Sequence, residues 1–323
     1  MRKRKCVRKA ALLGMAGMFL FCSCTGKSTS QEAQEPEKAQ QSTAKDQTAG
    51  KAADSRTADS QAAKQKSAGL EVKQADWSKY FNGLQGAAVI LDTSAERYTV
   101  FHKKLANTRR SPCSTFKVVS SMIALEHGLL DPAHSVRQWS GDTFWKDTWN
   151  QDLDFQTAFR ESCVWYFREV ADEIGKDLMQ AELDRLMYGN CDISDWEGRL
   201  NTNNNNRALT GFWIESSLTI SPKEQTEVME RIFGERSIYQ EQTRNELKKV
   251  MLVEQSQTDA FIYGKTGMGM EEGVVVDAWF SGFADKAGRQ IYFCVYLGRT
   301  DGADVSSTAA KEIAVRLVGD YLL

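Results

Sequence analysis

From Thr25 to about Ala75 the chain carries, proline aside, no apolar side chain larger than alanine until Leu70 and Val72. A segment of Gln, Ala, Ser, Lys, Thr and Glu cannot bury enough surface to offset its conformational entropy. Residues 25–75 therefore read as a flexible low-complexity tether, and whatever folds does so within 76–323. That length suits one large or two modest domains at roughly 100–200 residues each. The formal net charge of the whole chain is only −2, and no basic run interleaves with aromatics in the folding part. The electrostatic footprint of a nucleic-acid-binding protein is missing.

The segment before the tether is a targeting signal. Arg2, Lys3, Arg4, Lys5, Arg8 and Lys9 form a basic start, followed by an apolar run from Ala10 to Phe21 too short to span a bilayer comfortably. Phe21-Cys22-Ser23-Cys24 resembles a bacterial lipoprotein box, with Cys24 as the lipidated residue. Residues 1–24 are thus expected to export the chain and leave it lipid-anchored to a bacterial membrane, facing the periplasm or cell exterior. The alternatives are cleavage without a lipid and an uncleaved anchor. Cys113, Cys163, Cys191 and Cys294 remain in the folding part without Cys-x-x-Cys or Cys/His spacing, so no metal site is expected. Cys113 and Cys163 read as buried thiols, and the disulfide state is left open.

From Trp77 the pattern changes. Gly86–Asp92 and Tyr98–His102 read as strands joined by a polar turn at Ser94–Arg97. Ala260–Lys265, Val274–Phe283 and Gln290–Leu297 read as three more, and Ala309–Leu323 as a closing amphipathic helix. The middle, from Ser114 to about Leu252, is mostly helical with long loops. A sheet built from both chain ends around a helical insert predicts an α/β (α+β) fold, its mainly antiparallel sheet flanked by helices and carrying an all-helical lobe. Ligands favour the cleft between such lobes.

One stretch carries chemistry. In Ser111-Pro112-Cys113-Ser114-Thr115-Phe116-Lys117, Pro112 suits a helix entry, and the following apolar periodicity runs to a cap at Gly128. Ser114 and Lys117 then share one face a turn apart, placing a hydroxyl nucleophile beside an amine. Ser-x-x-Lys alone proves little, since Ser42-Thr43-Ala44-Lys45 repeats it inside the tether, and an isolated Ser114 would read as a helix cap. Further along come Ser162-Cys163-Val164, after a helical piece over Asp154–Arg160, and Tyr188-Gly189-Asn190, ending a helical stretch from Val170 to Met187 that Gly175 could break. Lys265-Thr266-Gly267 is expected to close a strand, presenting a cation and a hydroxyl to the cleft while Gly267 admits close approach.

With Gly211-Phe212-Trp213-Ile214-Glu215-Ser216-Ser217-Leu218-Thr219-Ile220-Ser221, these motifs stand in the order seen in class D, oxacillinase-type, serine β-lactamases, and the chain resembles that family from Trp77 to Leu323. The Ser-x-x-Lys and Lys-Thr-Gly pair is shared by all penicillin-recognising serine enzymes, class A β-lactamases and penicillin-binding proteins included. Tyr-Gly-Asn and Phe-Trp are more specific to class D and to penicillin-sensor domains. Residues 76–323 are thereby identified as a class D-like catalytic domain.

The resemblance implies a mechanism. Ser114 attacks the lactam carbonyl and forms an acyl-enzyme. Lys117, flanked by Phe116 and Val118 and facing Trp213, is desolvated, and its neutral amine takes up carbon dioxide to become the general base. Trp213 holds that carbamate through its indole N–H. Ser162 relays a proton to the leaving nitrogen with Lys265 beside it, and Thr266 binds the substrate carboxylate. The N–H groups of Ser114 and Met268 form the oxyanion hole, while Tyr188 and Asn190 shape the cleft wall. No cofactor is implied beyond carbon dioxide or bicarbonate. His102, His127 and His134 lie outside every motif, which argues against a Ser-His-Asp triad. The sequence departs from the family in one place. Ala303–Ala309, near the closing helix, lacks the arginine that many class D enzymes use for the substrate carboxylate, and neither Arg299 nor Lys311 matches it. The implied activity is β-lactam hydrolysis. The alternatives are a penicillin-sensing or penicillin-binding domain that acylates without turnover, and a D,D-peptidase. The asparagine run Asn203–Asn206 reads as a solvated loop before Trp213.

Overall fold

A computed structural model describes residues 69–200, 205–255 and 260–323, all within the unit Ala49–Leu323. The signal segment with Cys24, the tether up to residue 68, and Asn203 and Asn204 lie outside the described residues.

The first elements are β1 (Glu71–Gln74), α1 (Ser78–Phe81), β2 (Gly86–Asp92), β3 (Arg97–Phe101) and α2 (Lys103–Ala106). A 3-10 turn at Cys113–Phe116 leads into α3 (Lys117–Glu126). The helical lobe adds α4 (Phe155–Arg160), α5 (Val164–Ile174), α6 (Lys176–Leu186), α7 (Pro222–Phe233) and α8 (Glu241–Met251). The chain returns through β4 (Leu252–Gln255), β5 (Phe261–Glu271), β6 (Val274–Lys286) and β7 (Arg289–Gly298) and closes with α9 (Ser307–Tyr321).

The strands form one seven-stranded sheet in the order β1-β3-β2-β7-β6-β5-β4. Among the described residues only the β1–β3 pair is parallel. The expected sheet from both chain ends is present, and its alternation explains the layers. On β2, Ala87, Val89 and Leu91 face the large core under the helical lobe, while Ala88 and Ile90 face Ile313, Leu317 and Val318 of α9. Both faces are covered, so every residue of β2 is buried. Each large apolar side chain sealed there contributes about 1.5–3 kcal/mol.

Several boundaries differ from the sequence expectation. Glu71–Gln74, the end of the stretch assigned to the tether, pairs with Arg97–Val100 as an edge strand; its residues are exposed, so no apolar pattern marked it. Lys265-Thr266-Gly267 does not close its strand, because β5 continues to Glu271. Gly264, Gly267 and Gly269 read locally as breakers, but pairing with β6 from Phe261 to Glu271 carries the strand through them. The helical stretch expected from Val170 starts earlier, at Val164, and breaks at Gly175, φ +75°, the position the sequence marked. It is Met187, in the left-handed region, that caps α6. At the head of α7, Ser221 and Glu224 exchange hydrogen bonds across Pro222 in a capping box, a helix start written in the local sequence.

Candidate active site

The nucleophile segment is held before it is used. Arg110 and Ile220 exchange backbone hydrogen bonds at 3.0 and 2.9 Å. Ser111 Oγ donates to the Trp213 carbonyl at 3.0 Å and accepts the Glu215 N–H at 2.9 Å. Cys113 follows in the left-handed region at φ +49°, a costly conformation for a non-glycine residue. Its N–H donates to the Trp213 carbonyl at 3.0 Å. Thr115 Oγ1 donates to the Pro112 carbonyl at 2.7 Å and accepts from Gln225 Nε2 at 2.8 Å. The helix-entry serine thus sits on a turn braced from both the Trp213 loop and α7.

Lys117, the first residue of α3, donates from Nζ to Ser114 Oγ at 2.9 Å. The one-turn spacing read from the sequence produces this contact directly. Lys117 is 1% exposed, and the Phe167 ring lies 5.4 Å from its nitrogen. Burial pushes its amine down to about 8, so a usable fraction is neutral near physiological pH and able to accept a proton.

On the opposite wall, Lys265 of β5 donates to Ser162 Oγ, with the Thr266 carbonyl 3.1 Å from its nitrogen. Burial first, then repulsion from Lys117 and Lys146, holds its amine well below the ordinary lysine range. Ser162 itself lies at φ +56°, a second strained L-residue in the site. Gly267 is required by contact rather than by φ. A Cβ there would meet the Pro112 carbonyl at 2.9 Å and Thr115 Cγ2 at 3.0 Å, so only glycine lets β5 lie against the 3-10 turn.

Ser114, Ser162, Thr266, Gly267 and Met268 line one open cavity of about 260 Å³, with the buried Lys117 and Lys265 joined to its two serines. Trp213 stacks on Phe116 at 5.8 Å between ring centroids. Its indole Nε1 is buried without a hydrogen-bond partner among the described residues. Such an orphaned donor costs about 1–3 kcal/mol.

Tyr188 and Asn190 stand outside the cleft wall that the sequence expectation gave them. Neither lines the cavity. Tyr188 packs edge-on against Phe116 at 5.5 Å, behind the nucleophile helix. Asn190 donates to the Ser217 carbonyl at 2.8 Å and accepts the Thr219 N–H at 2.9 Å. Tyr188 thus supports the nucleophile helix, and Asn190 ties down the loop after Trp213. Asn206 likewise bonds inside the protein, to Asp142 at 3.0 Å and to the Ala208 N–H at 2.9 Å. The histidines bond elsewhere, His102 to the Gly86 carbonyl, His127 to Glu182 and His134 to Asp131. Cys113, Cys163, Cys191 and Cys294 are free thiols, and among the described residues no His/Cys/Asp/Glu group could hold a metal ion.

Sequence reasoning passed over several lining residues, among them Trp145, Lys146, Arg160, Glu215 and Ser307. Glu215, at φ +50°, accepts the Met270 N–H at 2.6 Å and ties the Trp213 loop to β5 where its pairing with β6 shifts register. No local pattern marks this clamp in the sequence; of the other lining residues only Arg160, with Glu161, stands immediately before the Ser162 motif.

The model of the penicillin binding protein transpeptidase domain matches residues 53–319. The probable beta-lactamase YbxI of Bacillus subtilis (strain 168) is 31% identical over 252 residues, covering 78% of this chain and 86% of that protein. Regulatory protein BlaR1 of Bacillus licheniformis is 29% identical over 252 residues, 77% of this chain, but the match spans only 39% of that protein. Among solved structures, the C-terminal domain of the Bacillus licheniformis BlaR penicillin-receptor superposes with a TM-score of 0.67 at 28% identity, covering 78% of this chain and 97% of that domain. A class D beta-lactamase from Bacillus subtilis gives 0.66 at 30% identity, covering 77% and 96%. A cleft in which two serines meet two buried lysines at the edge of a transpeptidase-type sheet, with these relatives, places the chain in the penicillin-binding protein transpeptidase family, alongside the class D serine β-lactamases and the BlaR penicillin-receptor domain.

Proposed function

We propose that this protein hydrolyses β-lactam antibiotics through an acyl-enzyme on Ser114. The observation that carries the reading is the 2.9 Å contact between Ser114 Oγ and a lysine whose amine burial has brought down to about 8. Ser114 Oγ attacks the lactam carbonyl carbon and passes its proton to the Lys117 side chain. The lactam C–N bond breaks, and its nitrogen is protonated through Ser162, so that the proton Ser114 gave to Lys117 ends on the leaving nitrogen, with Lys265 hydrogen-bonded to Ser162. The N–H groups of Ser114 and Met268 are assigned to the developing oxyanion, where loss of one donor costs about 10²–10³ in rate.

Residues present fit a carbamate on Lys117: the amine is buried and easily neutral, and the unpartnered indole N–H of Trp213 offers a donor for it. Carbon dioxide bound there would supply an anionic base for activating both Ser114 and the deacylating water. We place the protein on the outer side of a bacterial membrane, tethered by lipid on Cys24 through residues 25–75. No described helix is long and apolar enough to cross a membrane.

A second reading is favoured by the likeness to the BlaR penicillin-receptor domain: a sensor that acylates and stays acylated. A penicillin hydrolysis time course with and without added bicarbonate separates them. Multiple turnovers stimulated by bicarbonate are expected; a single stoichiometric acylation without turnover would sink the hydrolase reading.

A further inference from the structure

Penicillins and their relatives carry a carboxylate, and a cleft that selects them needs a standing positive charge. The two buried lysines supply it poorly, since burial drives both amines towards neutrality and repulsion from Lys117 and Lys146 adds to it at Lys265. Lys146 lines the cavity but is already held, its Nζ 2.9 Å from the Glu161 carboxylate and 2.8 Å from the Glu161 carbonyl. Near the closing helix, Arg299 reaches Asp301 at 3.9 Å and does not line the cavity, nor does Lys311. What the start of α9 contributes to the cavity is the hydroxyl residue Ser307.

Arg160 is different. It ends α4, two residues before Ser162, and lines the cavity with an exposed side chain. Among the described residues that side chain makes no hydrogen bond or ion pair, and a guanidinium keeps its charge at any working pH. Its planar fork matches a carboxylate in two parallel hydrogen bonds. We propose that Arg160 is the specificity-determining cation that receives the substrate carboxylate, across the cavity that Thr266 and Ser307 also line. This inference rests on the β-lactam reading above. It moves carboxylate recognition from the closing helix to the segment that carries Ser162, so one short stretch both orients the substrate and relays its proton.

The test compares second-order acylation rate constants for a penicillin and for its methyl ester, which lacks the negative charge, in the full chain and in Arg160→Ala and Arg160→Lys. Acylation is read rather than turnover, so the result does not depend on whether the protein is a hydrolase or a sensor. The wild type should prefer the free acid, and Arg160→Ala should slow the acid by about tenfold while leaving the ester within about twofold. Arg160→Lys should fall between, and added salt should erode the wild-type preference for the acid. Equal slowing of acid and ester, or an acid rate unchanged in Arg160→Ala, overturns the assignment. If neither compound acylates the wild type, the β-lactam reading falls and takes this inference with it.

Discussion

Replacing Lys117 by methionine should abolish activity and yet stabilise the fold in a way that depends on pH. A lysine that ionises at about 8 instead of 10.5 has lost about 3 kcal/mol of preference for its charged form, at about 1.4 kcal/mol per tenfold. The unfolded chain keeps this proton up to its ordinary value, whereas the folded chain sheds it near 8. Between those values the unfolded state binds more protons, so wild-type stability rises with pH across the window. Below it the burial cost is felt in full. Methionine keeps most of the side-chain volume and removes the titration. Its advantage over wild type should therefore shrink by about 2 kcal/mol between roughly pH 7 and pH 9.5, equivalent to about 4–8 °C in Tm for a domain of this size. Lys265 is common to both proteins, and burial, the main cause of its depressed amine, is the same in each. Thermal unfolding of both proteins at the two pH values, in bicarbonate-free buffer, measures the difference. A stability gap that stays flat or widens with pH would refute the placement of a neutralised, buried amine beside Ser114.

Other perturbations probe the walls of the same cleft. Trp213→Phe keeps the stack on Phe116 while removing the indole N–H, and should slow deacylation more than acylation, seen as accumulation of labelled protein during a penicillin reaction. Gly267→Ala drives a methyl group into the Pro112 carbonyl and Thr115; moving β5 by a fraction of an ångström should cost about 10² in kcat/KM while the fold loses about 1–3 kcal/mol. Glu215→Gln retains an oxygen for the Met270 N–H and should keep most of the activity, whereas Glu215→Ala should raise KM and lower kcat together. If alanine and glutamine behave alike in steady-state assays, the clamp plays no part in positioning β5.

Much of the site was legible because its parts are local. Ser114 and Lys117 meet by helical spacing alone, and the strand pattern at the two chain ends sufficed to foresee one sheet around a helical insert. The extent of β5 was not legible, because its glycines are poor strand formers and only hydrogen bonding to β6 keeps the chain extended through Lys265-Thr266-Gly267. β1 escaped notice for the opposite reason: an exposed edge strand needs backbone partners but no apolar side chains.

By itself the sequence determined that strands from both chain ends flank a helical insert, and that a hydroxyl and an amine share one helical face, since each depends on patterning or on spacing of a few residues. Tertiary structure alone decided that Lys265 reaches Ser162 from 103 residues away, that Tyr188 packs on Phe116 while Asn190 holds the loop after Trp213, and that Glu215 bridges to β5. It also decided that Arg160 faces the cavity without a partner among the described residues. Those outcomes turn on burial and on contacts between segments far apart in the chain, and no local pattern encodes which distant atoms will be left facing one another.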